Sequence, residues 1–293
     1  MKINRKSLFA NDALQIGLFE SRPSSDACGD IERQSLNAVV LPFRGLFAKH
    51  DGPNRHVIGT PSHAIFFAPD KPYRLSFPGA IGDRALTFRF DDALAPEEVA
   101  LSRVGEAMAS DGVLPAEAMM LRNALWARLQ TRDFDAFEVE TMGLDLLSMT
   151  FDSLRRHGGG GKQATQERRA RAVERVKEAI ALAPAEKWTV AKLARIANLS
   201  AFHLCHVFRE TIGISLYGYV LRERLAHSLH AVMDAGADLS AIAYDVGFSS
   251  HSHFTARFRA FFGVTPAALR RTAAAGALAD FRKIVTAQPG LPA

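Results

Sequence analysis

The sequence predicts an α+β chain. A small β-barrel or sandwich with appended helices is followed by an all-α region of two helix-turn-helix units joined by a central helix. Three observations predict it. Residues 1 to about 92 alternate apolar and polar side chains in short runs; from about 95 to 157 the period lengthens to that of helices; and beyond a glycine run a set of residues recurs at an interval of 50.

The strand runs are 36–41, 63–68 and 84–90, set apart by breakers such as Asp51-Gly52-Pro53-Asn54 and Pro78-Gly79. Phe43, Phe66, Phe67, Tyr73, Phe77, Phe88 and Phe90 read first as core of this unit, and Phe43, Phe66, Tyr73 and Phe88 are the candidates to line an internal pocket. His50, His56 and His63 are of a metal-ligating type, but their spacing does not make a site, so no metal and no cofactor is expected. In the helical stretch, Met119, Leu121, Leu125, Trp126 and Leu129 form one apolar stripe, and Phe137, Met142, Leu146, Leu147, Phe151 and Leu154 the next. Such helices pack on the sheet or on a second subunit.

At 293 residues and 48% apolar content the chain can bury two cores of ordinary size. The run Gly158-Gly159-Gly160-Gly161 resists helix formation and sets the boundary: 1–157 as the first domain, 158–166 as linker, 167–272 as the all-α domain, 273–293 as tail. In the tail only Leu278, Phe281, Ile284 and Val285 carry a pattern. Net charge is +5 and unevenly divided: residues 166–272 hold 15 Lys/Arg against 9 Asp/Glu, and residues 1–165 hold 19 against 21. A basic segment beside a near-neutral one is the footprint of a chain in which one half meets phosphate, although a solvated basic face gives the same count. Cys28 and Cys205 fall in different halves, which argues against a disulfide framework or a cysteine zinc site. No run reaches the roughly 20 apolar residues of a membrane span, and the polar start is unlike a signal peptide, so a cytoplasmic location without membrane contact is expected.

In the first repeat, Thr189 caps a helix bearing Val190, Leu193, Ala194 and Ile196; Asn198 suits a left-handed turn; Ser200 caps a second helix to about Thr211. In the second, Ser240 precedes Ile242, Ala243 and Val246, Gly247 makes the turn, and Ser249 or Ser250 caps a helix from His251 to Phe262. Leu204/Phe208 and Phe254/Phe258 give each second helix a buried stripe, and Phe248, Phe261 and Phe262 read mostly as core. This leaves Ala201, Phe202, Cys205, His206 and Arg209 exposed on one, and His251, Ser252, Thr255, Ala256, Arg257 and Arg259 on the other. His203 and His253 hold equivalent repeat positions on separate units and do not make a shared metal site. Cys205 lacks the neighbouring cysteine that a redox switch uses.

Residues 172–271 resemble the AraC/XylS-type transcription regulators, most sharply in Ile242-Ala243, Gly247-Phe248-Ser249-Ser250, Phe254, Phe258 and Gly263-Val264-Thr265-Pro266, and again in Leu193-Ala194 through Gly213. The resemblance implies two recognition helices entering successive major grooves, held apart by a central helix at about Ser215 to Met233. It places base readers at Phe202, Cys205, His206, His251, Ser252 and Ala256; Arg209, Arg257 and Arg259 are assigned to phosphates or base edges, and Thr255 lies on the same face. His206 stands where such proteins often use arginine, and Ala256 offers a base only a methyl. Residues 1–157 resemble in general pattern the cupin-like β-barrel found upstream in such regulators, which implies an effector-binding and dimerisation domain with Phe43, Phe66, Tyr73 and Phe88 at its effector pocket. The function implied is a non-enzymatic, sequence-specific DNA-binding regulator acting as a homodimer on promoter DNA under a small-molecule effector, with RNA polymerase a further candidate partner. The alternative is a cupin-like metal-dependent enzyme with a DNA-binding appendage, which needs three convergent ligands. A scaffold that binds protein through its helices is a third reading, distinguished by salt-insensitive binding.

Overall fold

A computed structural model describes residues 2–52, 55–91, 94, 108–131, 133–155 and 163–274. The glycine run, residues 95–107 and the tail beyond Ala274 lie outside the described residues, and with them the expectations placed there.

Among the described residues nine strands, β1 (Lys2–Ala10), β2 (Leu14–Arg22), β3 (Asn37–Gly45), β4 (Phe47–Gly52), β5 (Arg55–Gly59), β6 (His63–Phe67), β7 (Arg74–Ser76), β8 (Asp83–Phe90) and β9 (Asp111–Val113), form two antiparallel sheets. One has the order β1-β2-β8-β3-β6-β9, the other β5-β4-β7. The barrel expectation is corrected here. Among the described residues no ladder joins the edges of the larger sheet to the smaller one, so the strands make an open pair of layers. The chain changes layer at Gly45, whose φ of +74° and backbone neighbours leave no room for a Cβ. β9 also corrects the helical expectation for 95–157. It pairs His63 with Val113 and Ile65 with Asp111, and three residues are too few to show alternation in a sequence.

The central strands of the larger sheet are buried on both faces, with a period of two, while the edge strand β1 is largely exposed. Leu14, Ile16 and Leu18, Val39, Leu41 and Phe43, Ala64 and Phe66, and Leu86, Phe88 and Phe90 pack toward helices; Phe19, Ala38, Val40, Ile65, Phe67 and Ala85 turn toward the smaller sheet. The helices on the first face are α1 (Ala116–Leu129) and α2 (Ala136–Arg155). Their expected stripes are buried except for Phe137, which is 76% exposed on the outer side of α2.

The remainder is helical: α3 (Gln163–Leu182), α4 (Val190–Ala197), α5 (Ala201–Ile212), α6 (Leu216–Met233), α7 (Leu239–Asp245), α8 (His251–Phe262) and α9 (Pro266–Ala274). α3 starts inside the segment read as linker. The two halves are not separate bodies. Leu225, Leu229 and Val232 of α6 and Phe254, Phe258 and Phe262 of α8 share one core with α1, α2 and the larger sheet. A second, smaller core joins α3, α4, α5 and the start of α6.

Candidate nucleic-acid interface and effector cavity

The pairs α4–α5 and α7–α8 are built by local rules. Thr189 Oγ1 accepts the Lys192 N–H at 3.2 Å, Asn198 turns the chain at φ 55° and ψ 47°, and Ser200 Oγ accepts the His203 N–H. In the second pair Asp238, not Ser240, is the cap: its carboxylate takes the Ser240 and Ala241 N–H groups, at 3.1 and 3.2 Å. A carboxylate facing a helix N-terminus gains from the dipole as well as from the hydrogen bonds. Gly247 makes the turn at φ +88°, and Ser250 caps α8. Gly213 and Gly263 end α5 and α8 in matching left-handed conformations.

Leu204 and Phe208, like Phe254 and Phe258, are completely buried, and this aims the opposite helix faces outward. Phe202 is 85% exposed, and Ala201, Cys205, His206 and Arg209 are open with it. On α8, His251, Ser252, Ala256, Arg257 and Arg259 are exposed and Thr255 half-buried. The two faces differ in charge. On α5, Glu210 takes His206 at 3.2 Å and Arg169 at 3.4 Å; on α8 the Arg257 guanidinium lies 3.4 Å from His253, and Thr255 lies 3.4 Å from His251.

Sequence reading missed the supports. From α6, Arg224 donates at 2.9 Å to each of three carbonyls: Pro184 and Glu186 before the first pair, and Gly247 in the turn of the second. A Cβ on Gly247 would lie 2.7 Å from the Ala185 Cα, so the turn sits against the same loop. Arg175 binds the Ile196 and Ala197 carbonyls at the end of α4, and Arg270 binds those of Val232 and Ala237. Buried Lys177 bonds Asp111 and Glu174; burial works against its charge, but the two carboxylates outweigh it and raise the ammonium above its ordinary range. All four cations belong to the basic excess of residues 166–272, yet Arg175, Arg224 and Arg270 hold backbone carbonyls and Lys177 holds carboxylates.

A polar seam joins the halves. Glu223 of α6, fully buried, accepts from the Thr60 hydroxyl at 2.9 Å and from that of Ser62, beside His63. Arg122 of α1 donates to the Pro42 and Pro61 carbonyls, and burial lowers its guanidinium to about 9 against the nearby Glu223 charge. Glu174 accepts the Ile58 N–H at 2.7 Å, and Arg222 donates to the Leu114 carbonyl.

Between the two sheets lies a cavity of about 290 Å³, bounded by Arg5, Gln34, Phe47, Phe67, Tyr73 and Arg89 among others. Of the expected pocket residues only Tyr73 lines it. Phe43 and Phe88 are on the helix-facing side of the sheet, where Phe43 stacks on Trp126 at 5.0 Å, and Phe66 also belongs to that core. The reason is pleat: a neighbour one position along points to the other face, and aromatic residues occupy both. His50 and His56 face each other across β4–β5 with rings 5.4 Å apart, away from His63. Among the described residues no three His, Cys, Asp or Glu side chains converge, and no helix is long and apolar enough to cross a membrane.

Residues 193–272 match a family described as a helix-turn-helix domain. An AraC-like transcription regulator of Streptomyces antibioticus is 34% identical over 88 residues, 30% of this chain and 29% of that protein. The HTH-type transcriptional regulator GlxA of Rhizobium meliloti is 37% identical over 79 residues, 27% of this chain and 24% of its own length. The chain thus spans under a third of these relatives. Apo ToxT K231A of Vibrio cholerae aligns with 88% of this chain and 97% of its own, at 11% identity and a TM-score of 0.36. The C-terminal third carries a helix-turn-helix region of the kind found in AraC-like transcription regulators.

Proposed function

We propose that this chain is a sequence-specific DNA-binding transcription regulator, non-enzymatic, that presents two recognition helices to successive major grooves of one DNA face. The observation that carries the reading is the paired construction: two capped helix pairs with buried inner stripes and outward polar faces, fastened to one central helix by Arg224. In this reading α4–α5 and α7–α8 are helix-turn-helix units about 34 Å apart. Phe202, Cys205, His206, His251, Ser252 and Ala256 meet base edges, Thr255 lies on the same DNA-facing side, and Arg209, Arg257 and Arg259 meet phosphates or base edges. Residues 1–157 bind a small-molecule effector and pair with a second copy, so that a cytoplasmic dimer brings four units to promoter DNA, with RNA polymerase as a further partner. Effector shifts the arrangement only by its difference in affinity for the two states.

The test is binding of the purified chain to DNA from its own genomic neighbourhood across a salt series, beside an Arg257→Ala/His206→Ala double variant. We expect fragment-selective affinity that falls steeply with salt and at least a tenfold loss in the double variant. Selectivity that is absent in both proteins, or binding indifferent to salt, refutes the reading.

A further inference from the structure

We infer that the cavity between the sheets is a site for a small organic monoanion, a carboxylate carried on an apolar or aromatic body, with Arg89 as its anchor. The inference rests on the effector reading above and names the chemistry of the effector.

The cavity is lined by three basic residues, Arg5, Lys6 and Arg89, and by no carboxylate. Arg5 is already answered, since its guanidinium lies 2.6 Å from Glu32 just outside the lining. Arg89 is not: among the described residues its one polar contact is a 3.4 Å bond to the Gln34 carbonyl oxygen, and it has no ion pair there. The Gln34 amide is held in turn by the Tyr73 hydroxyl at 3.3 Å, and Tyr73 donates to Glu32 at 3.2 Å. This polar rail orients Arg89 without neutralising it. A half-buried guanidinium with free donors is matched by the two oxygens of a carboxylate.

Phe19, Val40, Phe47, Phe67 and Leu75 give the wall an apolar side, beside the polar Ser7, Gln15 and Thr87. Register places Arg89 opposite Gln15 and Ala38, with Thr87 opposite Gly17 and Val40 two positions along. Gly17 keeps the floor clear, since a Cβ there would stand 2.8 Å from the Thr87 hydroxyl. The volume is about twice the 150 Å³ or so of an apolar cavity that holds benzene, which suits a ring or short alkyl chain bearing one charged group.

The same wall reaches the helices. Phe47 and Val57 face the inter-sheet core; the next residues, Ala48 and Ile58, pack outside against Ala181 with Leu182 of α3, and the Ile58 N–H is the one held by Glu174. A ligand pressed on Phe47 is thus one strand thickness from the helix that supports the first pair.

The experiment titrates benzoate, 3-phenylpropionate and octanoate, and their neutral amides, into the full chain by calorimetry, with Arg89→Gln, Arg89→Lys and, as a charge-matched control outside the cavity, Arg22→Gln. At least one carboxylate is expected to bind with Kd below about 1 mM, at least tenfold tighter than its amide. That binding falls at least tenfold in Arg89→Gln, partly returns in Arg89→Lys and is unchanged in Arg22→Gln. Equal binding of acid and amide, binding that survives Arg89→Gln, or no binding by any carboxylate overturns the inference. DNA binding by the same samples without probe separates the two readings. A chain that binds DNA selectively but ignores every probe loses only the cavity assignment; one that binds probe but not DNA loses the regulator.

Discussion

The pairs α4–α5 and α7–α8 follow one plan but stand on different ground. The first closes over its own small core with α3, touched from the sheets by Val113; the second is part of the main core, with Phe254, Phe258 and Phe262 in the same cluster as Leu14, Phe88 and Leu125. Their ties differ in the same sense. The first depends on α3, whose Glu174 and Lys177 reach Ile58 and Asp111; the second leans on α1 and on Arg222, whose guanidinium lies 5.0 Å from the Phe261 ring. A repeated motif is therefore no guide to repeated stability: what each copy rests on decides how easily it opens.

The turns separate most sharply. Gly247→Ala places a Cβ against the Ala185 backbone at a left-handed φ, and strain plus overpacking is expected to cost about 3–4 kcal/mol. Asn198→Gly, at the equivalent turn, is expected to stay within about 1 kcal/mol. Chemical denaturation of both checks this, and equal losses would mean that the close approach at Gly247 is not a constraint.

Next in size is Glu174→Ala, which strips the Ile58 N–H of its acceptor and leaves Lys177 with Asp111 alone. A loss of about 2–3 kcal/mol is expected. Hydrogen exchange should quicken in α5, at Val207 and Phe208, while Phe258 and Phe262 in α8 stay protected. Uniform quickening would show that the cores open together. Arg222→Ala is the mirror experiment, expected to cost about 1–2 kcal/mol and to loosen α8 rather than α5.

The smallest effect is electrostatic. Glu210→Gln removes a negative charge that occupies His206 and Arg169 on the first face, so DNA affinity should rise about two- to fivefold at low salt and the gain should shrink as salt increases. An unchanged affinity would place Glu210 away from the DNA.

Much of this comparison was legible in the sequence, because it is local. Caps at Thr189, Ser200 and Ser250, left-handed turns at Asn198 and Gly247, and the 204/208 and 254/258 stripes follow from rules that act within one or two turns. What was not legible depends on distant partners. Nothing near Arg224 reveals that it binds carbonyls 40, 38 and 23 residues away, and a cation that holds backbone is counted in a sequence like one that faces solvent. Asp238 could have been read, since a carboxylate two residues before Ser240 caps as well as a hydroxyl. The cavity residues were missed by one register step: Phe43, Phe66 and Phe88 share strands with Val40, Phe67, Thr87 and Arg89 but point the other way.

If the two helix pairs read DNA as proposed, Arg224 has a consequence for operator architecture. With one guanidinium and a turn that admits no side chain joining both helix pairs to α6, the spacing between them is built in rather than tethered. Each base pair inserted between two half-sites rotates one against the other by about 34° and moves it about 3.4 Å. A tethered pair of heads would lose an operator lengthened by five base pairs and regain it at ten, when helical phase returns. A head pair locked by Arg224 regains neither, because phase is restored but distance is not.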